Sequence, residues 1–264
     1  MNRIDEKFAR LRKEGGKAFI PFITCGDPDP SMSEKIVLTL ERAGADIVEL
    51  GVPFSDPIAD GPTIQASSQR ALNNKVNLRR VLQVVRRIRR RSEIPLALLT
   101  YFNPVYQMGI RQFVREAKKA GVDGVIIPDL PLEEAGSLKN FMDEEGLDLI
   151  LLVAPTSVDE RIKMVGQLSG GFIYVVSVTG TTGAREKVPY PVRKLILRIK
   201  KYTNKPICLG FGISTPEQVK VIRTWVDGII VGSALIKVIE KNLKNKHLLE
   251  EVEEFALKMK ASLI

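Results

Sequence analysis

PSMSEKIVLTLERAGADIVELG, residues 30–51, contains the repeating unit that decides the fold. Asp29 can cap a helix, Pro30 suits its first turn, and Gly44 is the residue type that commonly follows a helix end. Between them the apolar residues recur at helical spacing, at Met32, Ile36, Val37, Leu40 and Ala43. The short aliphatic run at 46–51 is typical of a buried parallel strand. The stretch therefore predicts a helix over 30–43 followed by a strand over 46–51.

Short aliphatic runs of this kind recur along the chain and alternate with segments of helical period. They lie at 17–25, 46–51, 94–101, 123–128, 147–154, 171–178, 205–210 and 226–232. Eight such strands predict a (β/α)8 TIM barrel, with an open doubly wound sheet as the alternative. The gap of 50 residues from Gly51 to Tyr101 predicts an insertion after the second strand, and residues 1–13 predict an extra helix at the barrel floor. Because no linker or charge boundary divides residues 1–264, they are expected to form a single barrel domain.

The composition argues against several classes of protein. No run of about 18 apolar residues occurs, and the charged N-terminus lacks a secretory signal, so the protein is expected in the cytoplasm without a membrane span. The two cysteines, Cys25 and Cys208, lack metal-ligand spacing and are expected as buried thiols. The one histidine, His247, lies in a charged tract, which predicts a solvated helix residue and no metal site.

Much of the net charge of +9 lies at 79–91, which holds seven arginines. Apolar residues recur there at helical spacing, at Leu78, Val81, Leu82, Val85 and Ile88. The segment is thus typical of an amphipathic helix with arginines on its solvated face. Binding of nucleic acid or of an acidic partner is the alternative, although no RNA-binding aromatic signature or zinc finger accompanies the arginines.

Glu49 is a carboxylate inside a predicted strand. Side chains alternate along a strand, so Glu49 shares a face with Ile47, while Val48 and Leu50 share the other, wholly apolar face. The apolar pair should face the helices, which places Glu49 inside the barrel near its C-terminal end, where catalytic groups of barrels lie. A salt bridge is the structural alternative, but the upper halves of the predicted strands hold no basic residue. Glu49 is therefore a candidate catalytic residue.

The loop FSDPIADGP, residues 54–62, follows that strand and carries Asp56 and Asp60. A loop of this length after a strand is often functional or a lid. Either aspartate could instead form a turn or cap the next helix, since Asp-Gly-Pro is a turn sequence. From the residues alone, Asp60 is an even choice between catalysis and structure, and Asp56 is the weaker candidate.

The last three predicted strands end in glycine and small hydroxyl residues before a helix. The segments are SVTGTTGAR at 177–185, GFGIS at 210–214 and GSAL at 232–235. Helix N-termini of this kind bind phosphate through free backbone N–H groups, and barrels often use the loops after strands seven and eight for this purpose. The pattern predicts a phosphorylated small-molecule substrate.

Several reaction types lack the residues that they need. A Schiff-base aldolase needs a lysine within a barrel strand, but lysine occurs only at the first residue of two strands, as Lys17 and Lys205. A metal-dependent aldolase needs a ligand cluster that one histidine does not supply, and no GxGxxG motif follows the first strand. Proton transfer by carboxylates, without a cofactor, is the chemistry that remains.

The motifs taken together resemble those of the tryptophan synthase alpha subunit family. The resemblance rests on ELGVPFSDPIADGPTIQAS (49–67), FIPFITCGDPDP (19–30), LTYFNPVYQMG (99–109), GVDGVIIPDLPLEE (121–134), VSVTGTTGAR (176–185), LGFGISTPEQV (209–219) and DGIIVGSALI (227–236). It implies a (β/α)8 lyase that cleaves indole-3-glycerol phosphate into indole and glyceraldehyde 3-phosphate. It also implies that Glu49 performs the proton transfers at the reacting carbons and that Asp60 holds the indole N–H.

The resemblance implies three further groups of residues. The indole pocket would be formed by Phe22, Ile64, Leu99, Tyr101, Ile126, Tyr174 and Phe211, for each of which ordinary barrel packing is the alternative. The phosphate would bind among Gly183, Gly212, Ile213, Gly232 and Ser233. Loops 53–61 and 179–187 would be lids, with Asp56, Asp129 and Thr182 linking them to Asp60 and to the partner.

The resemblance also implies a partner. Family members pair with a beta subunit that consumes the indole, and an alpha2-beta2 hetero-tetramer is expected. Pyridoxal phosphate belongs to that subunit, so no cofactor is expected in this chain. A stand-alone lyase and a non-catalytic activator of the beta subunit are the alternatives.

Overall fold

The predicted barrel is present in residues 2–176, 190–210 and 212–264, which the computed structural model describes. In these ranges eight parallel strands pair in chain order, and the first pairs with the last. They are β1 (Ala18–Thr24), β2 (Val48–Gly51), β3 (Leu96–Leu99), β4 (Gly124–Ile126), β5 (Asp148–Val153), β6 (Ile173–Val176), β7 (Ile207–Gly210) and β8 (Gly228–Val231). Because the sheet closes, the alternative of an open doubly wound sheet is wrong.

Helices surround the barrel and cover its floor. Those in the described ranges are α1 (Arg3–Glu14), α2 (Pro30–Arg42), α3 (Pro62–Asn73), α4 (Leu78–Arg89), α5 (Phe102–Met108), α6 (Ile110–Ala120), α7 (Ala135–Glu144), α8 (Asp159–Leu168), α9 (Tyr190–Ile199), α10 (Pro216–Ile222), α11 (Ser233–Lys241) and α12 (Leu248–Ala261). None of them has the length and apolar character needed to span a bilayer. Both α3 and α4 lie between β2 and β3, which confirms the insertion after the second strand.

The unit at residues 30–51 forms as its sequence predicts. The Asp29 carboxylate accepts hydrogen bonds from the N–H groups of Ser31 and Met32 at 2.8 and 2.9 Å, which caps α2. Gly44 has a φ of 91°, a conformation that glycine adopts without strain, and the chain then turns into β2. Local sequence chemistry therefore fixes both ends of the helix that precedes Glu49.

Apolar side chains form an inner and an outer cluster, divided by the sheet. Val48 and Leu50 belong to the outer cluster between strands and helices, whereas Ile47 belongs to the inner one. The inner cluster also contains Ile4 and Phe8 of α1, so this helix closes the barrel floor as predicted. The alternation predicted for β2 is confirmed, and it directs Glu49 inward.

The arginine-rich segment forms α4, with its apolar stripe buried as predicted. One arginine departs from the prediction of a solvated face. The side chain of Arg89 is only 10% exposed, and its Nη2 atom lies 2.7 Å from Oδ2 of the buried Asp123. Cys25 and Cys208 are buried free thiols, as predicted. His247 is solvent-exposed beside Glu250, as predicted, but it is the N-cap of α12 and does not lie within the helix.

Candidate active site

A cavity of about 590 Å³ opens among the C-terminal ends of the strands, where barrel enzymes carry their active sites. Its wall in the described ranges combines apolar side chains with the acidic loop and glycine-rich turns. The lining residues are Phe22, Glu49, Ile58, Ala59, Asp60, Gly61, Pro62, Ile64, Gln65, Leu99, Pro128, Leu152, Ala154, Ser157, Arg161, Tyr174, Val176, Gly212, Ile230, Gly232 and Ser233. The two candidate catalytic carboxylates therefore face one cavity.

Glu49 lies in the inner wall of this cavity. It is 1% exposed, and neither carboxylate oxygen has a hydrogen-bond partner among the described residues. Burial raises its pKa from 4.5 to about 8, and the negative charge of Asp60 adds to the increase. A buried carboxyl group without a partner is costly for stability, so the structural alternative of a salt bridge has no support in the described residues.

The Phe22 ring lies beside Glu49 on the neighbouring strand. The two residues are partners in the β1–β2 register, so their side chains enter the cavity together. A Cβ atom on Gly51 would come within 2.6 Å of the Phe22 ring. Glycine at 51 thus leaves the space that the ring occupies above the carboxyl group.

Asp60 lies at the cavity edge and is half-buried. Burial raises its pKa from 3.8 to about 6, while a hydrogen bond from Tyr101 opposes the increase. The N-cap of α3 is Gly61 and no side chain caps this helix, so Asp60 does not serve the capping role that was the structural alternative. Its backbone N–H bonds to the Pro57 carbonyl at 3.0 Å, which makes the loop turn at this point.

Tyr101 lies behind the loop and does not belong to the cavity wall. Its hydroxyl oxygen accepts a hydrogen bond from the Ala59 N–H at 3.0 Å, and its O–H donates to the Asp60 carboxylate. Its ring stacks on Phe54 with centroids 5.1 Å apart. Tyr101 therefore holds the acidic loop and orients Asp60, whereas the resemblance implied a residue of the indole pocket.

The other expected pocket residues divide into two groups. Phe22, Ile64, Leu99 and Tyr174 line the cavity. Ile126 is fully buried in the inner cluster and does not belong to the cavity wall. Phe211 lies outside the described residues.

Three residues of the expected phosphate site line the cavity, namely Gly212, Gly232 and Ser233. Among the described residues no side chain caps the N-terminus of α11, so none of them supplies a side-chain acceptor to the backbone N–H groups of its first turn. Gly212 has a φ of 81°, and a Cβ atom on it would meet no atom of the described residues within 4 Å. Ile213 is buried and is not in the wall, and Gly183 lies outside the described residues.

Of the expected lid and coupling residues, Asp56 and Asp129 are described, and neither lines the cavity. Asp56 is exposed and accepts a hydrogen bond from Ser55 Oγ at 2.5 Å, as a turn-forming residue would. Asp129 accepts from the Phe102 N–H at 2.9 Å and so holds the start of α5. Thr182 and the loop 179–187 lie outside the described residues.

Two polar wall residues were not predicted from the sequence. Gln65 donates a hydrogen bond to the Asp60 carbonyl oxygen at 2.8 Å and supports the loop from α3. Arg161, in the first turn of α8, is half-buried and has no ion pair among the described residues. The signal in the sequence was a cation shortly after the end of the fifth strand. In the described ranges no group of three or more His, Cys, Asp or Glu side chains is arranged to hold a metal ion.

The whole chain is similar to known proteins of one family. The family model described as "Tryptophan synthase alpha chain" matches residues 8–263. A tryptophan synthase alpha chain of Thermoanaerobacter sp. (strain X514) is 51% identical over 260 residues, which are 98% of this chain and 99% of that protein. The corresponding protein of Methanocaldococcus jannaschii is 47% identical over 254 residues, covering 96% of this chain and 90% of the relative.

Solved structures give the same result. The tryptophan synthase subunit alpha of Legionella pneumophila str. Paris superposes with a TM-score of 0.93 at 37% identity, covering 100% of this chain and 98% of that one. A chain of the tryptophan synthase complex from Pyrococcus furiosus superposes with a TM-score of 0.85 at 38% identity, covering 93% of this chain and 99% of that one.

Proposed function

Because the chain belongs to the tryptophan synthase alpha chain family, we propose that Glu49 and Asp60 perform the proton chemistry of the family's lyase reaction in this protein. The chain is a carbon–carbon lyase of tryptophan biosynthesis that cleaves indole-3-glycerol phosphate into indole and glyceraldehyde 3-phosphate. The observation that supports the assignment of residues is a buried carboxyl group that has no hydrogen-bond partner among the described residues and faces a cavity that a second carboxylate shares.

We assign Glu49 as the general acid and base. Cleavage requires that C3 of the indole ring gain a proton, and the hydroxyl group on the adjacent carbon must lose one. The carbon–carbon bond then breaks, its electrons restore the aromatic ring, and the hydroxyl-bearing carbon becomes the aldehyde. A pKa of about 8 leaves Glu49 protonated near neutral pH and still able to accept a proton after it has donated one.

We assign Asp60 to the indole nitrogen. With a pKa of about 6 it is mostly ionised near neutral pH, whereas Glu49 is mostly protonated. An ionised carboxylate can accept the indole N–H and stabilise the positive charge that develops on the ring when C3 is protonated. Two carboxyl groups with separated pKa values thus take two different roles in one site.

The phosphate group would bind at the first turn of α11, which belongs to the cavity wall. The first turn of α11 offers N–H groups that no described side chain caps, beside Gly232 and Ser233, and Gly212 lines the same cavity. Helix N-termini favour phosphate through these N–H groups and through the helix dipole. The substrate would therefore lie with its phosphate at α11 and its indole ring near Asp60.

The chain works with a beta subunit. We propose that the complex is an alpha2-beta2 tetramer, that indole passes to the beta subunit, and that pyridoxal phosphate is bound there. We assign no cofactor to this chain because the carboxyl groups and the phosphate cradle account for each step above.

Indole release from indole-3-glycerol phosphate, measured with and without added beta subunit, tests this function. Asp60→Asn is expected to lower kcat strongly, while Asp56→Asn, the matched loss of a carboxylate from the same loop, should leave it near the wild-type value. Strong activation by the beta subunit is expected; no activation would favour a stand-alone lyase. Zero turnover by the wild-type protein even with the partner would leave only a docking role, and normal turnover by Asp60→Asn would remove the role of Asp60.

A further inference from the structure

A chain of charged side chains connects α3, the helix that follows the Asp60 loop, to α11, whose first turn belongs to the proposed phosphate site. It consists of Asp27 in the loop after β1, Arg70 near the end of α3 and Glu240 near the end of α11. Only Gly61 separates Asp60 from the start of α3 at Pro62, and Ser233 is the first residue of α11. The chain of charges therefore connects two helices whose first turns both border the cavity.

The contact between Asp27 and Arg70 is bidentate and buried. Arg70 Nε and Nη2 donate to the two Asp27 carboxylate oxygens, each at 2.8 Å, and Asp27 is 0% exposed. Ser67, one turn earlier on α3, donates from Oγ to Asp27 Oδ2 at 2.5 Å. A buried carboxylate with this many donors fixes the position of α3 against the barrel, since any displacement would leave a buried charge without a partner.

The contact with α11 uses the remaining side of the same guanidinium group. Arg70 Nη1 donates to Glu240 Oε1 at 3.0 Å, at a site where Glu240 is half-exposed. Planar geometry lets one arginine hold both carboxylates at once, whereas a lysine would bind as a point charge. The Arg70 side chain thus binds both Asp27 and Glu240, in addition to the direct packing of α3 on α11.

We propose that Arg70 is a positioning residue that sets the distance between Asp60 and the phosphate cradle, an inference that rests on the proposed function. A ligand that contacts both Asp60 and the phosphate cradle depends on this distance, because it can form both contacts at once only if the two sites are correctly spaced. A ligand that uses one end does not depend on it. Indole and glyceraldehyde 3-phosphate, the two products, each use one end.

Arg70→Lys tests the inference in the full-length protein with its beta subunit. The expected result is a rise of about tenfold or more in KM for indole-3-glycerol phosphate, with the inhibition constants of indole and glyceraldehyde 3-phosphate within about twofold of wild type. Glu240→Gln leaves the buried Asp27 contact intact and is expected to give the same pattern at about threefold. A general loss of stability would weaken the binding of the substrate and of its two products by the same factor.

The matched control is Arg89→Lys. Arg89, at the end of α4, also binds a buried aspartate, but this aspartate, Asp123, directly precedes β4 and so lies at the end of the barrel away from the cavity. It is expected to lower stability and to leave all three ligand constants unchanged. The inference is overturned if Arg70→Lys weakens substrate and fragments by the same factor, or if it weakens none of them. An unchanged Glu240→Gln protein would overturn the part played by α11. Because every comparison is made against an active wild type, these outcomes differ from a failure of the proposed function, in which the wild type itself would release no indole.

Discussion

Replacement of Glu49 by glutamine is expected to abolish indole release and, above neutral pH, to make the protein more stable. The folded state raises the pKa of Glu49 from 4.5 to about 8, chiefly through burial. A carboxyl group whose pKa is higher in the folded than in the unfolded state makes its full contribution to stability below the pKa of the unfolded state. This contribution decreases as pH rises above that pKa and is lost once pH has risen through the pKa of the folded state. Glutamine does not ionise, so the variant escapes this loss.

The size of the effect follows from the same two pKa values. Their difference is about 3.5, and at ~1.4 kcal/mol for each unit the ionisation of Glu49 costs up to about 5 kcal/mol well above pH 8. Between about pH 5 and about pH 9 the stability of the variant relative to wild type should therefore rise by up to roughly 4 kcal/mol. This is an upper bound because local relaxation and water entry reduce the cost of a buried charge.

Urea unfolding at about pH 5, pH 7 and pH 9, followed by the fluorescence of Trp225, the one tryptophan, measures this difference. Asp148→Asn is the matched control, since Asp148 is a carboxyl group at the barrel floor with a pKa raised to about 6. Its advantage should be complete by about pH 7, whereas that of Glu49→Gln should grow by more than ~1 kcal/mol between about pH 7 and pH 9. A Glu49→Gln protein whose advantage is the same at all three pH values would refute the raised pKa and with it the acid role of Glu49.

Three further perturbations act on the other parts of the site. Tyr101→Phe removes the hydroxyl group that holds the Ala59 N–H and the Asp60 carboxylate, so kcat should fall about tenfold while the fold is kept; an unchanged kcat would show that Asp60 is oriented by other contacts. Arg161→Gln removes a cation from the cavity wall and should raise KM for the doubly charged substrate about threefold at low salt. Lys163→Gln makes the same charge change on the same helix and should leave KM unchanged. Equal effects of the two variants would show that KM depends on the net charge of the protein and not on the position of Arg161. Addition of the beta subunit should change the pH dependence of kcat/KM. The acid limb, set by Asp60, should move to higher pH, and the alkaline limb, set by Glu49, should stay in place. Movement of both limbs together would contradict this prediction.

The sequence predicted those features that depend on local pattern. The period of two in β2 was sufficient to direct Glu49 into the barrel, and the cap and stop residues of α2 were sufficient to place that strand. The eight aliphatic runs all became strands, because parallel strands buried on both faces need continuous apolar sequence.

The features that were missed depend on contacts between distant parts of the chain. Tyr101 meets Ala59 across 42 residues, and its role as a support of the loop exists only once β3 lies beside β2. Arg89 has the same sequence context as its solvated neighbours, and only the closed barrel brings it to Asp123. Helical period predicts which face of a helix is apolar, but it does not predict which charge on that helix meets a buried partner.

The different pKa values of the two carboxyl groups follow from their depth in the barrel. Glu49 belongs to a strand and is already 1% exposed, so further exclusion of water at the mouth adds little to its burial. Asp60 belongs to a loop and is half-buried, and its pKa is a balance between burial and the Tyr101 hydrogen bond. Ile58, two residues before Asp60, is 84% exposed, so a subunit that covers this loop would remove water from Asp60 and not from Glu49. The partner would then change the pKa of Asp60, which binds the indole nitrogen. The barrel alone would set the pKa of Glu49, which protonates the ring.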